Sequence, residues 1–327
     1  MSALALLRRQ RGFTLAEMLI VVIIVGLLMA ALMPVFVQNV AWMQRAETRS
    51  RLDRLRVALE LVYRQQAWTI DSQVDAVLAT GTQTITPGTL VDAQWADVLR
   101  IGGLSPDVLR DGFNRPWQVQ ISVQLTRNRD GAAIPYHVIA LASNQGGDYD
   151  GAAQALDAAT VFDTATGAVT FAGGDVGTVV DGYAVWESLA ADTDRRVRAV
   201  ADAYGVWYRA RVRQTPAAAP GVDFFASRAA DTAWDVSAAA PQILADCDFA
   251  APDGLWGNPL WQLQLDQVLG LGANASTAWG GALRVRNCSA PARSPATGAA
   301  APYTAVIAAL LPNGARIEAI VSGGGGQ

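Results

Sequence analysis

The feature that most constrains this chain is a long apolar stretch near its N-terminus. No charged residue lies between Met18 and Gln44, a run of 27 residues. About 20 apolar residues are enough for a helix to cross the hydrocarbon core of a membrane. Arg8, Arg9 and Arg11 precede the stretch, and such basic flanks stay on the cytoplasmic side. The pattern therefore predicts a helix that spans a membrane.

An acidic residue, Glu17, lies at the very start of this stretch. An unpaired carboxylate in lipid is costly, so Glu17 predicts a function for this segment. A secretory signal peptide is one alternative, but its apolar region is usually about 7–15 residues long and ends at a cleavage site after small residues. A plain single-pass anchor is the other alternative, and it leaves Glu17 unexplained.

A specific order of residues surrounds Glu17. Gly12 is followed by Phe13, and Glu17 lies four positions beyond Phe13 (17 − 13), while Gly26 and Pro34 fall within the apolar stretch. This pattern resembles the N-terminus of type IV prepilins and of type II secretion pseudopilins. The resemblance implies that a prepilin peptidase cuts between Gly12 and Phe13 and methylates the new Phe13 amine. It also implies that Gly26 and Pro34 are the helix glycine and the kink proline of the assembly helix.

The same resemblance implies how Glu17 is used and where the protein works. In a filament, Glu17 is expected to pair with the Phe13 ammonium group of a neighbouring subunit, which would cancel two charges in an apolar core. The implied partners are other pilins or pseudopilins, the prepilin peptidase and the inner-membrane assembly platform. The implied location is the bacterial inner membrane, crossed once, with the folded part in the periplasm and later on the cell surface or in a pseudopilus.

The apolar stretch continues into an amphipathic pattern. Apolar residues at three- and four-residue spacing predict one helix from Phe13 to about Gln66, about 80 Å long and bent or loosened at Pro34. The positions that define the spacing are Leu52, Leu55, Leu59, Val62 and Tyr63. The spacing recurs 145 residues later (197 − 52), in Val197, Val200, Tyr204, Trp207 and Tyr208. This recurrence predicts an internal repeat.

Strand patterns follow each of the two helical patterns. Alternating apolar residues predict strands at 117–121 and 136–142 in the first copy and at 261–265 and 303–310 in the second. The strand at Trp117 follows a turn at 111–117, and the strand at Trp261 follows a turn at 253–259 that resembles a turn in the head of the major type II secretion pseudopilin. The predicted fold is α+β, with a long N-terminal transmembrane and amphipathic helix and a pilin-like antiparallel β-sheet head, doubled into two tandem heads. The expected boundaries are a leader at 1–12, the long helix at 13–66 with its membrane part at 13–40, a first head at 67–190 and a second head with its own helix at 191–327.

The remaining residues give little support to an enzyme. The net charge is −4 and every basic residue is arginine, a balance that argues against nucleic acid as a partner. No nucleophile elbow, zinc-protease, paired-cysteine or P-loop motif is present, and His137 is expected to be a packed or hydrogen-bonded strand residue. The expected function is therefore structural, as a minor subunit of a type IV pilus, and a type II secretion pseudopilin is the first alternative. A pilus-tip adhesin that uses exposed tryptophans is an alternative, and a membrane-anchored enzyme is the weakest one. Trp117 and Trp261 are expected in the core, and Trp42 at the membrane surface.

Two further predictions concern a metal ion and a disulfide. Asn144, Asp148 and Asp150 lie among glycines in one loop, and clustered oxygen ligands of this kind suit Ca²⁺. The alternative is a polar surface turn that uses these residues for backbone reasons. Cys247 and Cys288 lie on the extracytoplasmic side, where a disulfide is expected. It would contribute about 3–4 kcal/mol by loop entropy, and two buried free thiols are the alternative.

Overall fold

A computed structural model describes residues 15–71, 81–85, 93–129, 131–148, 154–214, 225, 258–260, 265–287 and 304–323. The fold is α+β, with a long N-terminal helix followed by antiparallel sheets. This confirms the predicted fold class and the long helix. Gly12, Phe13, Asp150, Cys247, Cys288 and Trp261 lie outside the described residues.

Helix α1 runs from Leu15 to Asp71, a length of 57 residues or about 85 Å. It continues through Pro34 and ends five residues beyond the predicted end at Gln66 (71 − 66). Its first half is exposed to solvent, whereas its second half buries the predicted apolar positions. The two halves differ because only the second half has a sheet to pack against.

The first sheet has four strands in the order β1-β2-β5-β8, and each neighbouring pair is antiparallel. Its strands are β1 (Gly81–Ile85), β2 (Trp117–Ile121), β5 (Val138–Ser143) and β8 (Val176–Asp181). Between them lie α2 (Ala93–Gly102), a 3-10 turn (Pro106–Leu109), the hairpin β3 (Leu125–Arg129) and β4 (Ala132–Tyr136), and the short strands β6 (Val161–Phe162) and β7 (Val169–Thr170). The core forms between one face of this sheet and the second half of α1.

A second helix and a second sheet follow. Helix α3 spans Gly182–Gln214, so it begins nine residues before the expected start of the second head at 191 (191 − 182). The later elements are β9 (Asn258–Pro259), α4 (Leu265–Val268), a 3-10 turn (Gly272–Ala275), β10 (Arg284–Asn287), β11 (Thr304–Leu310) and β12 (Arg316–Ser322). The second sheet is antiparallel in the order β12-β11-β10-β9. It encloses a separate core with α3, which includes Val197, Val200, Tyr204 and Tyr208 at the predicted positions.

The two sheets correspond in register, but not at the offset of 144 residues (261 − 117) that the predicted strands imply. Val119 of β2 faces Leu141 of β5, and Val285 of β10 faces Ile307 of β11. Both positions are 166 residues apart (285 − 119 and 307 − 141). The strand that corresponds to β2 is therefore β10, and not a strand at 261–265.

Two strand predictions need correction. The strand predicted at 261–265 is wrong at its described residue, because Leu265 begins helix α4. Asn258 and Pro259, placed in a turn by the sequence, form strand β9. Alternation of apolar and polar residues gives the period of a strand, but it does not show which strand pairs with it. The strand that pairs with β10 on this side is β9. The strand predicted at 136–142 is also divided, because β4 ends at Tyr136 and β5 begins at Val138.

Candidate functional site

The first half of α1 presents an uninterrupted apolar surface. Side chains along it remain largely exposed, for example Leu15 at 86%, Phe36 at 70% and Met33 at 68%. Exposure of this extent in an apolar helix is stable only in lipid or against other apolar helices. The surface is therefore a site of insertion or assembly.

The residues assigned to assembly lie on this surface. Glu17 is in the first turn of α1, Gly26 lies within the apolar half, and Pro34 lies inside the helix. Among the described residues, no heavy atom lies within 4 Å of a β-carbon placed on Gly26, so this part of the chain leaves the surface around the glycine open. The proposed cleavage point at Gly12 and Phe13 precedes the first described residue.

A first attachment site fixes the second half of α1 to the globular part. It consists of Thr48 and Arg51 of α1 and the turn at 107–112. Thr48 Oγ1 donates to Gln44 O (2.8 Å) and accepts from Gly112 N (3.0 Å). Arg51 Nη1 donates to the carbonyl oxygens of Asp107 (2.9 Å), Arg110 (3.2 Å) and Asp111 (3.4 Å). One guanidinium group thus adds charge-assisted hydrogen bonds to three carbonyl oxygens of this turn, of which Asp107 O and Asp111 O also accept from the backbone N of Arg110 and Asn114.

The turn itself is ordered by a buried carboxylate. Asp111 is fully buried and accepts from the backbone of Phe113 (2.9 Å) and Arg115 (2.8 Å) and from Ser143 Oγ (2.7 Å). Asn114 takes the left-handed conformation with φ of 61°, which asparagine tolerates better than most residues. Gly112 approaches α1 so closely that a β-carbon there would lie 2.0 Å from Gln44 O, so only glycine fits.

A second attachment site repeats these bonds on α3. It consists of Thr193 and Arg196 with the turn at 273–278. Thr193 Oγ1 donates to Leu189 O (2.9 Å) and accepts from Ala278 N (3.0 Å). Arg196 Nη1 donates to the carbonyl oxygens of Ala273 (3.3 Å), Ser276 (3.2 Å) and Thr277 (3.3 Å).

The correspondence between the two sites is complete in its numbering. Each helix residue of the second site lies 145 positions after its counterpart in the first (193 − 48 and 196 − 51), and each turn residue lies 166 positions after its counterpart (273 − 107 and 278 − 112). The neighbouring acid is also matched, because Arg51 pairs with Glu47 at 2.7 Å and Arg196 pairs with Asp192 at 2.8 Å. In the sequence, the shared signal is an acid followed directly by Thr, with Arg three residues after the Thr. Apolar spacing does not reveal it, because none of these three residues is apolar.

A buried polar cluster lies where α1 ends. Tyr63 Oη donates to Asp71 Oδ1 and accepts from His137 N (2.9 Å), and all three residues are almost fully buried. Burial raises the pKa of Asp71 to about 7, and the hydrogen bond from Tyr63 opposes part of this rise. Burial, followed by the charge of Asp71, raises the pKa of Tyr63 well above its usual value. His137 is packed and hydrogen-bonded as predicted, since its Nδ1 lies 3.1 Å from Ser122 O.

The loop predicted to bind calcium is filled by an arginine. Arg115 Nη1 donates to Asn144 Oδ1 (3.2 Å) and to Gly147 O. Asn144 Nδ2 donates to the backbone oxygens of Asp148 (2.6 Å) and Ala155 (3.1 Å). Within the described part of the chain, no group of three or more His, Cys, Asp or Glu gathers that could hold a metal ion. The guanidinium thus bonds to oxygens that a metal cation would use, and it supplies positive charge at the same place.

The tryptophans that the structure describes differ in their burial. Trp117 is fully buried and donates from Nε1 to Val108 O (2.7 Å), so its predicted core position is confirmed. Trp186 and Trp279 pack together with ring centroids 5.7 Å apart. Trp42 differs from them, because it is 69% exposed near the C-terminal end of the uncharged stretch at 18–44.

A comparison with protein-family models identifies a motif near the N-terminus. The model described as the prokaryotic N-terminal methylation motif matches residues 7–33, and this is the signal motif of type IV prepilins and pseudopilins. The resemblance predicted from the sequence is therefore confirmed over this segment. Neither a curated protein nor a solved structure was found to match the chain.

The motif and the structure together support three conclusions. One helix of the described residues, Leu15–Ala67, is long and apolar enough to span a membrane, and with the motif it indicates membrane insertion. The motif indicates a pilin-type protein that a prepilin peptidase processes. It also indicates that the protein assembles with other pilins.

Proposed function

We propose that this chain is a structural prepilin and a minor subunit of a type IV pilus. It is inserted once into the bacterial inner membrane with its folded part in the periplasm, and it is cut after Gly12 and methylated at Phe13. The mature chain assembles through α1, in which Glu17, Gly26 and Pro34 contribute to packing in the filament core. The observation that carries this proposal is the continuity of the methylation motif at 7–33 with a helix that is apolar and exposed first and packed on a sheet afterwards.

The role of Glu17 follows from the surface on which it lies. Removing apolar side chains from water is worth about 25 cal/mol per Å², and either lipid or a bundle of neighbouring helices offers that environment. A carboxylate is costly in both unless it finds a cation. The new Phe13 ammonium group of an adjacent subunit supplies one, so Glu17 sets the position of each subunit relative to its neighbour.

The bulk of the chain favours a minor subunit over the repeating one. The two matched attachment sites support an arrangement of two tandem pilin-like heads, at 67–190 and 191–327. A double head limits how closely copies stack in a helical filament, so few copies are expected. Such a subunit serves in priming or capping rather than in catalysis.

A type II secretion pseudopilin is the nearest alternative, because it uses the same motif and the same helix. The neighbouring genes distinguish the two, since a retraction ATPase beside an assembly ATPase indicates a pilus. A pilus-tip adhesin is favoured less, because Trp117, Trp186 and Trp279 are packed rather than presented on the surface.

Processing is tested with a bulky residue at the proposed junction. Gly12→Leu should leave a precursor that keeps its leader and remains in the membrane, which is visible by gel mobility and by mass spectrometry of the N-terminus. Gly26→Leu is the matched control, because it makes the same change beyond the junction and should still be cut. Normal cleavage of Gly12→Leu would refute the proposed junction.

Assembly is tested separately through Glu17. Glu17→Ala should insert and be cut normally, yet fail to enter sheared filaments, because the Phe13 ammonium group of its neighbour loses its partner. Glu17→Asp keeps the charge and should restore part of the incorporation. Full incorporation of Glu17→Ala would remove the reason given for an acid in this helix.

Calcium at Asn144, Asp148 and Asp150 and a disulfide between Cys247 and Cys288 are proposed alongside this function. A rise in the thermal unfolding temperature at millimolar Ca²⁺ would support the calcium site. Absence of a shift would contradict it and leave Arg115 as the group that neutralises the loop oxygens. Alkylation of thiols before and after reduction, read by mass spectrometry, tests the disulfide.

A further inference from the structure

A contact within the chain shows how a hairpin can pack on a helix beside its attached turn. The hairpin of β3 and β4 packs on α3 beside the turn of the second attachment site, with Ile134 buried among Tyr183, Trp186 and Leu311. Arg129 Nη1 pairs with Glu187 Oε1 at 3.1 Å. The Arg127 guanidinium lies 4.4 Å from the centre of the Tyr183 ring. This face of α3 therefore holds a basic hairpin with acidic and aromatic side chains.

Helix α1 has the corresponding face, because the two attachment sites fix the two helices in the same relation to their turns. Subtracting 145 from α3 positions, and 166 from the turn position of Trp279, identifies its members. We call this face the α1 docking surface, and it consists of Ala41, Trp42, Arg45, Arg49 and Phe113. They correspond to Trp186, Glu187, Ala190, Asp194 and Trp279.

The α1 docking surface is open, unlike its counterpart on α3. Trp42 is 69% exposed, and Arg45 and Arg49 are both exposed. Neither arginine makes an ion pair with any residue that the structure describes. An exposed indole one and two helical turns before two cations that form no ion pair with the described residues is a surface suited to a partner with both apolar and acidic groups.

The charge of the surface selects the partner. The face on α3 carries Glu187 and Asp194, whereas the α1 docking surface carries arginine or tryptophan at the related positions. The chain's own hairpin presents Arg127 and Arg129, so the hairpin of a second copy would bring cations against cations. A hairpin or turn that carries carboxylates does not meet this repulsion.

We propose that the α1 docking surface binds a carboxylate-bearing hairpin or turn of a different pilin-type subunit, in the way that α3 binds the chain's own β3–β4 hairpin. This inference rests on the proposed function, since it names a neighbour in the assembly. It makes the chain a connector between subunits, because the basic β3–β4 hairpin of a second copy is repelled from this face. The contact lies next to the membrane end of the folded part, so it forms beside the helices that enter the filament core.

The proposal is tested in cells with the full-length protein and a photo-cross-linking amino acid at position 49. The same amino acid at Ser50 is the matched control, because Ser50 is also exposed and points about 100° away around the helix at the same depth. We expect an adduct from position 49, and not from position 50, with a subunit that carries the methylation motif. Mass spectrometry should place the cross-linked peptide within reach of Asp or Glu.

Charge reversal then decides whether the arginines make the contact. R45E/R49E should abolish the adduct formed from a cross-linker at Trp42, and changing the partner's acids to arginine should restore it. An adduct with a second copy of this chain, an adduct with lipid alone, or an adduct that survives R45E/R49E would each overturn the proposal.

The same cells separate this inference from the proposed function. If the chain is cut after Gly12 and enters filaments but gives no adduct from position 49, only the docking inference is wrong. If it is neither cut nor incorporated, the proposed function is wrong, and the docking inference falls with it.

Discussion

The two attachment sites make the same bonds with different turn residues. In the first, the Asp111 carboxylate accepts from the turn backbone, and in the second the Thr277 hydroxyl accepts from Gly281 N at 2.9 Å. The left-handed position is Asn114 in one and Gly280, with φ of 81°, in the other. What stays constant is one threonine and one arginine on each helix. Two helix side chains that satisfy the turn's backbone groups therefore keep this attachment while the turn sequence changes.

The regions beyond the two attachment sites differ completely. Helix α1 extends from Gln44 back to Leu15 as an exposed apolar rod, whereas α3 begins at Gly182, only seven residues before Leu189. Strand β8 leads directly into α3, so the helix that packs on the second sheet has no exposed apolar extension like that of α1. Helix α1 is thus suited to insertion, whereas α3 is joined to the first sheet through β8.

The largest expected effects test whether the two cores are independent. Trp117→Ala should cost about 3–5 kcal/mol, because it leaves a cavity and removes the donor to Val108 O. Leu283, fully buried at the corresponding position, should cost about 2–5 kcal/mol when it is changed to Ala. Hydrogen exchange by mass spectrometry should show faster exchange in β2 for Trp117→Ala and in β10 for Leu283→Ala. Equal acceleration in both sheets for either variant would mean one cooperative unit and would break the comparison.

A smaller effect is expected from the attachment arginines. Arg51 and Arg196 have side chains that are 20% and 25% exposed. Changing either to Ala should therefore cost about 1.5 kcal/mol, the low end for hydrogen bonds to a charged group. Urea unfolding of the detergent-solubilised protein measures the loss. Arg56→Ala and Arg198→Ala are matched controls with exposed i,i+4 ion pairs and should leave the midpoint unchanged. If Arg51→Ala lowers the free energy of unfolding and Arg196→Ala does not, the second attachment site does not stabilise the protein as the first one does.

The smallest effect, when it is expressed per pH unit, is a pH dependence of stability that arises in the core formed by α1 and the first sheet. The pKa of Asp71 is raised to about 7 from about 3.9 in an unfolded chain, so the folded state holds its proton over this interval. Its stabilising contribution is complete below about pH 4 and falls by up to about 1.4 kcal/mol per pH unit until about pH 7. Asp71→Asn should remove this slope in urea titrations. Tyr208, which corresponds to Tyr63, stacks on Phe225 at 4.1 Å, so Tyr208→Phe should leave the slope intact. A slope that persists in Asp71→Asn would assign it to another group.

The helix pattern was predictable because its signal is local. Leu52, Leu55 and Tyr63 are buried as the three- and four-residue spacing predicted, and their counterparts on α3 are buried as well. The attachment sites were not predicted, because Thr48 and Gly112 lie 64 residues apart (112 − 48) and Thr193 and Ala278 lie 85 apart (278 − 193). Residue types predict the second copy of the turn and strand at 253–265, because they resemble those at 111–121. The residues at 276–287, however, make the hydrogen bonds that correspond to those of the first turn and strand.

The sequence by itself determined how the protein enters a membrane. The motif at 7–33 and the uncharged run are linear features, because a peptidase and a bilayer act on residues that follow one another. Tertiary structure decided which turn attaches to which helix, which carboxylate is buried beside Tyr63, and which face of α1 is left open. Those outcomes depend on contacts between residues far apart in the chain, and their energies are set by burial and hydrogen-bond partners that exist only once the chain has folded.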